Sequence, residues 1–319
     1  MDMRGVFLDA GSLTRSDIDM SPLGRESIHW AYYDFTPLSA VVERITEAEI
    51  VISNKVVLDD TALAAAKRLK LVCVAATGTN NVDLEAARRR GITVCNVRGY
   101  ATPSVVEHVF TLLLALMRRL PDYQRAVQGG RWQQSVHFSF IDFPIRELNG
   151  KTLGIVGYGE LGQAVAKVAE AFGMRVVIAE HPGVVQRGGR VALAELLPQV
   201  DVLSLHVPLT PETRGLIGAE ELRAMKRGAV LINTARGGIV HEAALAEVLR
   251  SGHLGGAGVD VLSEEPPDDN PLLAAGIPNL IVTPHIAWAS RESRQRLLNE
   301  VAVNIKAFLE GRPRNLVEK

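Results

Sequence analysis

The stretch that decides the fold is Leu153-Gly154-Ile155-Val156-Gly157-Tyr158-Gly159-Glu160-Leu161-Gly162. An apolar run of strand character passes directly into a GxGxxG turn, and helical periodicity follows as far as Gly173. Gly157 suits the tight turn, Gly159 lets backbone approach a pyrophosphate, and Gly162 lets the helix pack closely on the strand. The N–H groups that open the helix, from Glu160 and Leu161 onward, form an anion site. Leu161, Val165, Val168 and Phe172 are read as the helix's apolar stripe, and 175–179 as the next strand. Glu180 ends that strand, 18 residues after Gly162, where a carboxylate bonds the ribose hydroxyls and repels a 2′-phosphate. The motif therefore predicts a dinucleotide site that prefers NAD(H), with NADP(H) as the alternative. Arg187 and Arg190 follow closely enough to moderate the repulsion.

Outward from this motif the chain alternates short apolar runs with amphipathic stretches, the pattern of strand-helix-strand units around a parallel sheet. Strands are predicted at 5–8, 50–53, 71–75 and 93–96, separated by helices at 38–48, 61–67 and 84–90. Asp83 stands at an N-cap position and Gly91 at a left-handed C-terminal one. After Asn149-Gly150 a second series follows, with strands at 153–156, 175–179, 202–205, 229–233, 256–261 and 280–283. Between the series, 101–130 reads as one long helix entered through Pro103, with Glu107, Leu112, Leu113 and Leu116 setting its period. A last helix, 291–309, carries Leu297, Val301, Ile305 and Phe308 on one stripe.

Length and composition agree with two α/β domains: 319 residues, 47% hydrophobic and 22% charged. Lys plus Arg number 35 against 36 Asp plus Glu, a formal net charge of -1, so no global excess draws the chain to nucleic acid or an anionic bilayer. The longest apolar run, 109–117, is about half of what a membrane span needs, and the N-terminus lacks a signal peptide's apolar region. The two cysteines, Cys73 and Cys95, form no metal or disulfide framework, and a reducing, cytoplasmic setting is expected. No metal site is expected. Hydrolase signatures such as GxSxG, HExxH and the P-loop are absent from the sequence.

Open α/β sheets bind ligands at the carboxyl ends of their strands. Those ends carry His206, Arg236, Asp260 and His285. Arg236 precedes Gly237-Gly238, read as a flexible turn, and its guanidinium fork suits a carboxylate. Glu265, on the loop after Asp260, offers His285 a partner, since a carboxylate bonded to an imidazole favours its charged form and fixes its tautomer. Arg, Glu and His beside a nicotinamide describe reduction of a 2-keto acid. Arg binds the acid and polarises the carbonyl, and His supplies the proton.

The chain resembles the D-isomer-specific 2-hydroxyacid dehydrogenases through GIVGYGELG at 154–162, INTARGGIV at 232–240, GAGVDVLSEEPP at 256–267 and TPHIAW at 283–288. The resemblance implies two doubly wound parallel-sheet lobes. A Rossmann NAD-binding domain (100–286) is inserted in a flavodoxin-like substrate domain (1–99 and 287–319), with the substrate cleft between them. It also implies that Arg236, Glu265 and His285 are the catalytic set. Thr234, Ala235, Arg236, Asp260 and His285 would hold the nicotinamide end of the cofactor, with the loop from His206, Val207 and Pro208 to Thr213 flanking it. Ala75-Ala76-Thr77-Gly78-Thr79-Asn80-Asn81-Val82-Asp83 resembles the family's substrate loop, with Thr77 and Gly78 binding the substrate carboxylate through their amides. Asn80 stands where many members have Asp, and its side chain is expected to brace the turn.

Within the family, VFLDAGSL, GTNNVDLEAA and HIAWAS look most like glycerate dehydrogenases, also called hydroxypyruvate reductases. The implied substrates are hydroxypyruvate and, secondarily, glyoxylate; another small 2-keto acid is the nearest alternative. Formate-oxidising members carry Gln in place of Glu265. Phosphoglycerate members supply an Arg-rich cluster where this chain has Ser53-Asn54-Lys55. Trp288 is the aromatic expected in the substrate pocket, while Trp132 is balanced between substrate contact and packing in the family's usual homodimer. The reading from another class is an NAD(H)-sensing corepressor on the same fold, against which stands the lack of long disordered or basic extensions.

Overall fold

The computed structural model of the chain describes residues 3–180 and 188–317. It separates into two compact units, 1–101 with 288–319, and 102–287. The first holds five parallel strands, β1 (Met3–Phe7), β2 (Ile28–Tyr32), β3 (Ile50–Ser53), β4 (Leu71–Val74) and β5 (Thr93–Cys95), in the order β2-β1-β3-β4-β5. Helices α1 (Leu38–Ile45), α2 (Asp60–Ala65) and α3 (Leu84–Arg89) bury Val41, Ile45, Leu63 and Ala87 on one face of this sheet. The last helix, α10 (Arg291–Leu309), covers the other face with Leu297, Leu298, Val301 and Ile305. The strands read as continuous apolar runs because both faces are covered. Asp83 accepts the Ala86 amide at 2.8 Å to start α3, and Gly91 leaves it at φ +68°.

β2 is a strand that apolar periodicity does not predict. It lies at the sheet edge, pairs only with β1, and is half-exposed throughout, so its sequence lacks an apolar run. The substrate-like loop also differs in detail. Asn80 is exposed; its neighbour Asn81 does the bracing, donating from Nδ2 to Val56 O at 3.0 Å and Ser53 Oγ at 3.2 Å.

The second unit holds seven parallel strands: β6 (Thr152–Val156), β7 (Arg175–Ala179), β8 (Arg190–Val191), β9 (Val202–Leu205), β10 (Val230–Asn233), β11 (Gly256–Val259) and β12 (Leu280–Val282). Their order is β12-β11-β10-β9-β6-β7-β8. The chain runs outward from β6 through β7 to β8, then restarts at β9 on the other side of β6. The order therefore reverses between β6 and β9, where a doubly wound sheet opens its ligand crevice. β8, the seventh strand, is only two residues long and escapes a reading by periodicity.

The predicted single helix at 101–130 is two, α4 (Thr102–Met117) and α5 (Leu120–Gln128). Arg119 between them is left-handed at φ +54°, and Pro121 opens α5, because a proline lacks the N–H and the room to continue the preceding helix. α6 (Glu160–Ala171) follows the glycine turn. Its buried stripe is Gly162, Val165, Ala166 and Ala169, rotated from the predicted one. Phe172 is 40% exposed at its end, stacked on Phe110 with ring centroids 5.3 Å apart. The small residues face the sheet because α6 packs too closely for Phe. On the other face α7 (Leu193–Leu196), α8 (Ala219–Ala224) and α9 (Glu242–Arg250) enclose a core that includes Leu196, Leu222, Leu245 and Leu249.

Candidate active site

Three glycines shape the crevice above β6. Gly157 adopts φ +95°, and a Cβ there would lie 2.6 Å from the His206 carbonyl. A Cβ on Gly162 would overlap the Gly157 carbonyl oxygen, so α6 can sit this close to the turn only with glycine at that position. Gly159, at the N-cap of α6, instead faces open space. The opening amides at Glu160, Leu161 and Gly162 lie in the helix's first turn, where no carbonyl one turn earlier can serve them. Glu160 itself is turned to Thr102, whose hydroxyl donates to it at 2.5 Å.

Glu180 ends β7 as a buried carboxylate, with its Oε1 3.5 Å from Arg190 Nη1. The Arg190 guanidinium also lies over the Tyr158 ring at 6.0 Å. Arg190 thus meets Glu180 as the sequence spacing suggested; Arg187 lies outside the described residues.

His206 follows β9 across the crevice. Its amide donates to Val156 O at 2.7 Å, and its Nε2 is 2.9 Å from Ser204 Oγ. Burial pushes the imidazole down to about 4, so near neutral pH it carries no charge. Val207 is buried beside it. Thr213 is fully buried, and its hydroxyl donates to Pro208 O at 2.6 Å and accepts from the Thr210 amide at 2.8 Å. Its place is inside the loop, shaping it.

Beyond β10, Thr234 and Ala235 are buried at the turn to Arg236. The Asn233 side chain closes that turn, accepting from the Ala235 amide at 3.1 Å and donating to Arg236 O at 3.0 Å. Among the described residues, Thr234 Oγ1 is a buried hydroxyl with no hydrogen-bond partner. Such groups are rare in folded chains, and a ligand able to hydrogen-bond it would satisfy it. Arg236 is half-buried, and its Nη1 donates to Ala235 O at 2.7 Å. The following Gly237-Gly238, read from sequence as flexible, is closely packed. A Cβ on Gly237 would overlap the Leu262 carbonyl, and Gly238 takes φ +77°.

That close approach sets Arg236 beside the segment carrying Glu265. Glu265 Oε1 accepts the Leu262 amide at 3.0 Å, and Oε2 accepts from His285 Nδ1 at 2.6 Å. His285 has φ +54°, unusual for a residue with a side chain. Asp260 lies beneath it, and its carboxylate accepts the Ile286 and Ala287 amides at 2.9 Å and the Thr283 hydroxyl at 2.5 Å. Burial alone would raise this carboxyl. The bonds from His108, Thr283 and the two amides outweigh burial and hold it below the usual carboxylate range. Glu265 and His285 are thus in contact, and Gly237 packs the turn that follows Arg236 against Leu262, three residues before Glu265. Sequence reasoning missed His108 and Ser104, both on α4, which bond this same region. Their spacing of four residues on a helix was the available signal.

In the first unit, Thr77 is exposed, with its hydroxyl donating to Val97 O at 2.9 Å, and Gly78 is half-buried. The Asn96 side chain donates to Thr77 O at 2.6 Å. Trp288 is half-buried against Tyr100, ring centroids 6.4 Å apart and edge to face. Among the described residues no group of three His, Cys, Asp or Glu could hold a metal ion, and no helix is long and apolar enough to cross a membrane.

The glycine turn after β6 and the unpartnered Thr234 hydroxyl after β10 together fit a dinucleotide, and comparison with known proteins agrees. The profile of the D-isomer specific 2-hydroxyacid dehydrogenase NAD-binding domain matches residues 110–287. The chain is 47% identical over 319 residues to a glycerate dehydrogenase of Methylorubrum extorquens, covering 100% of both. It is 39% identical to a hydroxypyruvate reductase of Blautia hydrogenotrophica, over 99% of this chain and 100% of that one. A D-lactate dehydrogenase of Aquifex aeolicus, solved with NAD and lactic acid, superimposes with a TM-score of 0.79 at 32% identity, covering 96% of each chain. The chain belongs to the D-isomer specific 2-hydroxyacid dehydrogenase family and is an NAD-dependent oxidoreductase.

Proposed function

We propose that the chain reduces hydroxypyruvate to D-glycerate, with glyoxylate as a second substrate. The observation that carries this reading is the 2.6 Å contact between His285 Nδ1 and Glu265 Oε2, beside the Arg236 turn. With Nδ1–H donated to the carboxylate, Nε2 is the nitrogen left to give a proton. When bound, NADH supplies the hydride that the keto carbon requires. Glycines 157, 159 and 162 with the α6 amides would hold its pyrophosphate, Glu180 its ribose and Thr234 its carboxamide. Arg236 holds the substrate carboxylate and polarises the carbonyl; His285 delivers the proton to the developing alkoxide. Glu265 keeps the imidazole oriented and fixes its tautomer. Thr77 and Gly78 are assigned to the substrate carboxylate, and Trp288 to its side chain.

The small-acid substrate class is supported by the two relatives named for glycerate and hydroxypyruvate. Lys55 as the only cation of the Ser53-Asn54-Lys55 loop speaks against a phosphorylated substrate, whose dianion needs more positive charge. The test is a set of initial rates with NADH against hydroxypyruvate, glyoxylate, pyruvate and phosphohydroxypyruvate. Hydroxypyruvate should give the highest kcat/KM; a preference for pyruvate or the phosphorylated acid refutes the assignment.

A homodimer belongs to the same proposal. Val136, Phe138 and Ile141 are 90%, 92% and 85% exposed on the segment after α5, apolar surface of the kind that association covers. A cytoplasmic setting is supported by Cys73 and Cys95, both buried as free thiols with Sγ atoms 3.2 Å apart.

A further inference from the structure

Ser104 and His108 stand one turn apart on α4, and both bond the segment that carries His285. Ser104 Oγ donates to Ala287 O at 2.7 Å. His108 Nε2 lies 3.0 Å from Thr283 Oγ1 and 3.4 Å from Asp260 Oδ1. The Thr283 hydroxyl spends its proton on Asp260 Oδ1 at 2.5 Å, so toward His108 it accepts, and Nε2 is the protonated nitrogen. A directed chain results, His108 to Thr283 to Asp260.

Asp260 is the hub of the turn. Its carbonyl accepts the His285 amide at 2.8 Å, and its carboxylate accepts the next two amides, Ile286 and Ala287, at 2.9 Å. Three consecutive N–H groups converge on one residue, and they do so with His285 at φ +54°. A left-handed conformation at a non-glycine residue costs on the order of 1 kcal/mol and persists only when its surroundings over-determine it. Here the surroundings are Asp260 from the sheet and α4 from the side. Hydrogen bonds in such a chain polarise one another, which stiffens the buried carboxylate.

We propose that His108 is a positioning residue for the reaction. Through Thr283 and Asp260 it holds the left-handed turn that aims His285, so that α4 as well as the sheet fixes the proton donor. The inference rests on the reading of His285 as that donor.

The test compares His108→Leu, His108→Gln, Thr283→Val and the His108→Leu/Thr283→Val pair, with His285→Ala as the reference. Misplacing a reacting group by about 1 Å costs up to roughly 10²-fold, so His108→Leu should lower kcat about 10-fold to 100-fold while KM for NADH and NADH binding stay within about twofold. Gln keeps an N–H near the place of Nε2 and should restore kcat to within roughly threefold of wild type, an outcome that packing alone would not produce. Thr283→Val should lose as much as His108→Leu, and the pair no more than either, because both act through one chain. If His108→Leu does not fold, Thr283→Val carries the same comparison. Full kcat in His108→Leu, no rescue by Gln, or additive losses would overturn the inference while leaving His285 in place. Undiminished turnover in His285→Ala would instead remove the reading beneath it.

Discussion

Glu265 divides its carboxylate between the backbone that carries it and the imidazole it faces, Oε1 on the Leu262 amide at 3.0 Å and Oε2 on His285 Nδ1 at 2.6 Å. The first bond fixes the carboxylate, and the second fixes the ring. Neither side chain is deeply buried, at 34% and 23% exposure, so the pair is open to exchange with solvent and substrate.

In the proposed reaction His285 is the proton donor, and truncating it to alanine removes that donor. His285→Ala should lower kcat by a general acid's usual share, roughly 10² to 10⁴, with NADH binding largely intact. Glu265→Gln keeps a hydrogen-bonding partner for Nδ1 but not its charge, so its loss should be smaller than that of His285→Ala. Stopped-flow single turnovers measure both; a Glu265→Gln loss as large as that of His285→Ala would show that the carboxylate does more than orient the ring.

The turn at Gly237 makes a sharper structural prediction than its sequence suggested. A methyl group there overlaps the Leu262 carbonyl, and backbone on both sides must shift to admit it. Overpacking of this kind costs about 1–3 kcal/mol. Gly237→Ala should therefore lower thermal stability and, by moving Arg236 relative to Glu265, raise KM for the keto acid and depress kcat together. Wild-type kinetics in this variant would mean that the contact with Leu262 is not what places Arg236.

Glu180, buried and 3.5 Å from Arg190, is the residue proposed to set coenzyme choice. A 2′-phosphate would meet this carboxylate first, so NADH should be favoured. Glu180→Ser removes the repulsion and leaves Arg190 to pair with phosphate. The ratio of kcat/KM for NADPH over NADH should rise by about 10-fold to 100-fold, each tenfold being about 1.4 kcal/mol. An unchanged ratio would place discrimination elsewhere.

The glycine motif, the alternation of elements and the strand-end positions of His206, Arg236, Asp260 and His285 were legible because each depends on local pattern: backbone freedom at Gly157, apolar runs between helices, polar groups where runs stop. What escaped was set by packing partners distant in sequence. β2 is an edge strand with no buried run, β8 consists of two residues, and the break at Arg119 depends on Pro121 two positions later. The rotated stripe of α6 reflects how near the helix lies to β6. Likewise Gly237 looks flexible until the carbonyl of Leu262 is found against it, and His108 looks like an ordinary helix residue until the fold brings Thr283 and Asp260 to its face.

His206 ties the crevice to pH. Its backbone carbonyl lies against Gly157, and burial pushes its imidazole down to about 4, against an ordinary value of about 6.5 once the chain unfolds. Between those values the unfolded state binds a proton that the folded state refuses, so stability falls as pH drops from about 6.5 toward 4, and above 6.5 the residue makes no difference. His206→Gln, which retains an N–H to reach Ser204, removes this penalty. Relative to wild type it should gain on the order of 1 kcal/mol between pH 7.5 and pH 5, seen as a smaller drop in Tm over that interval. A difference in Tm that is the same at both pH values would show that the enclosed imidazole is not the group responsible.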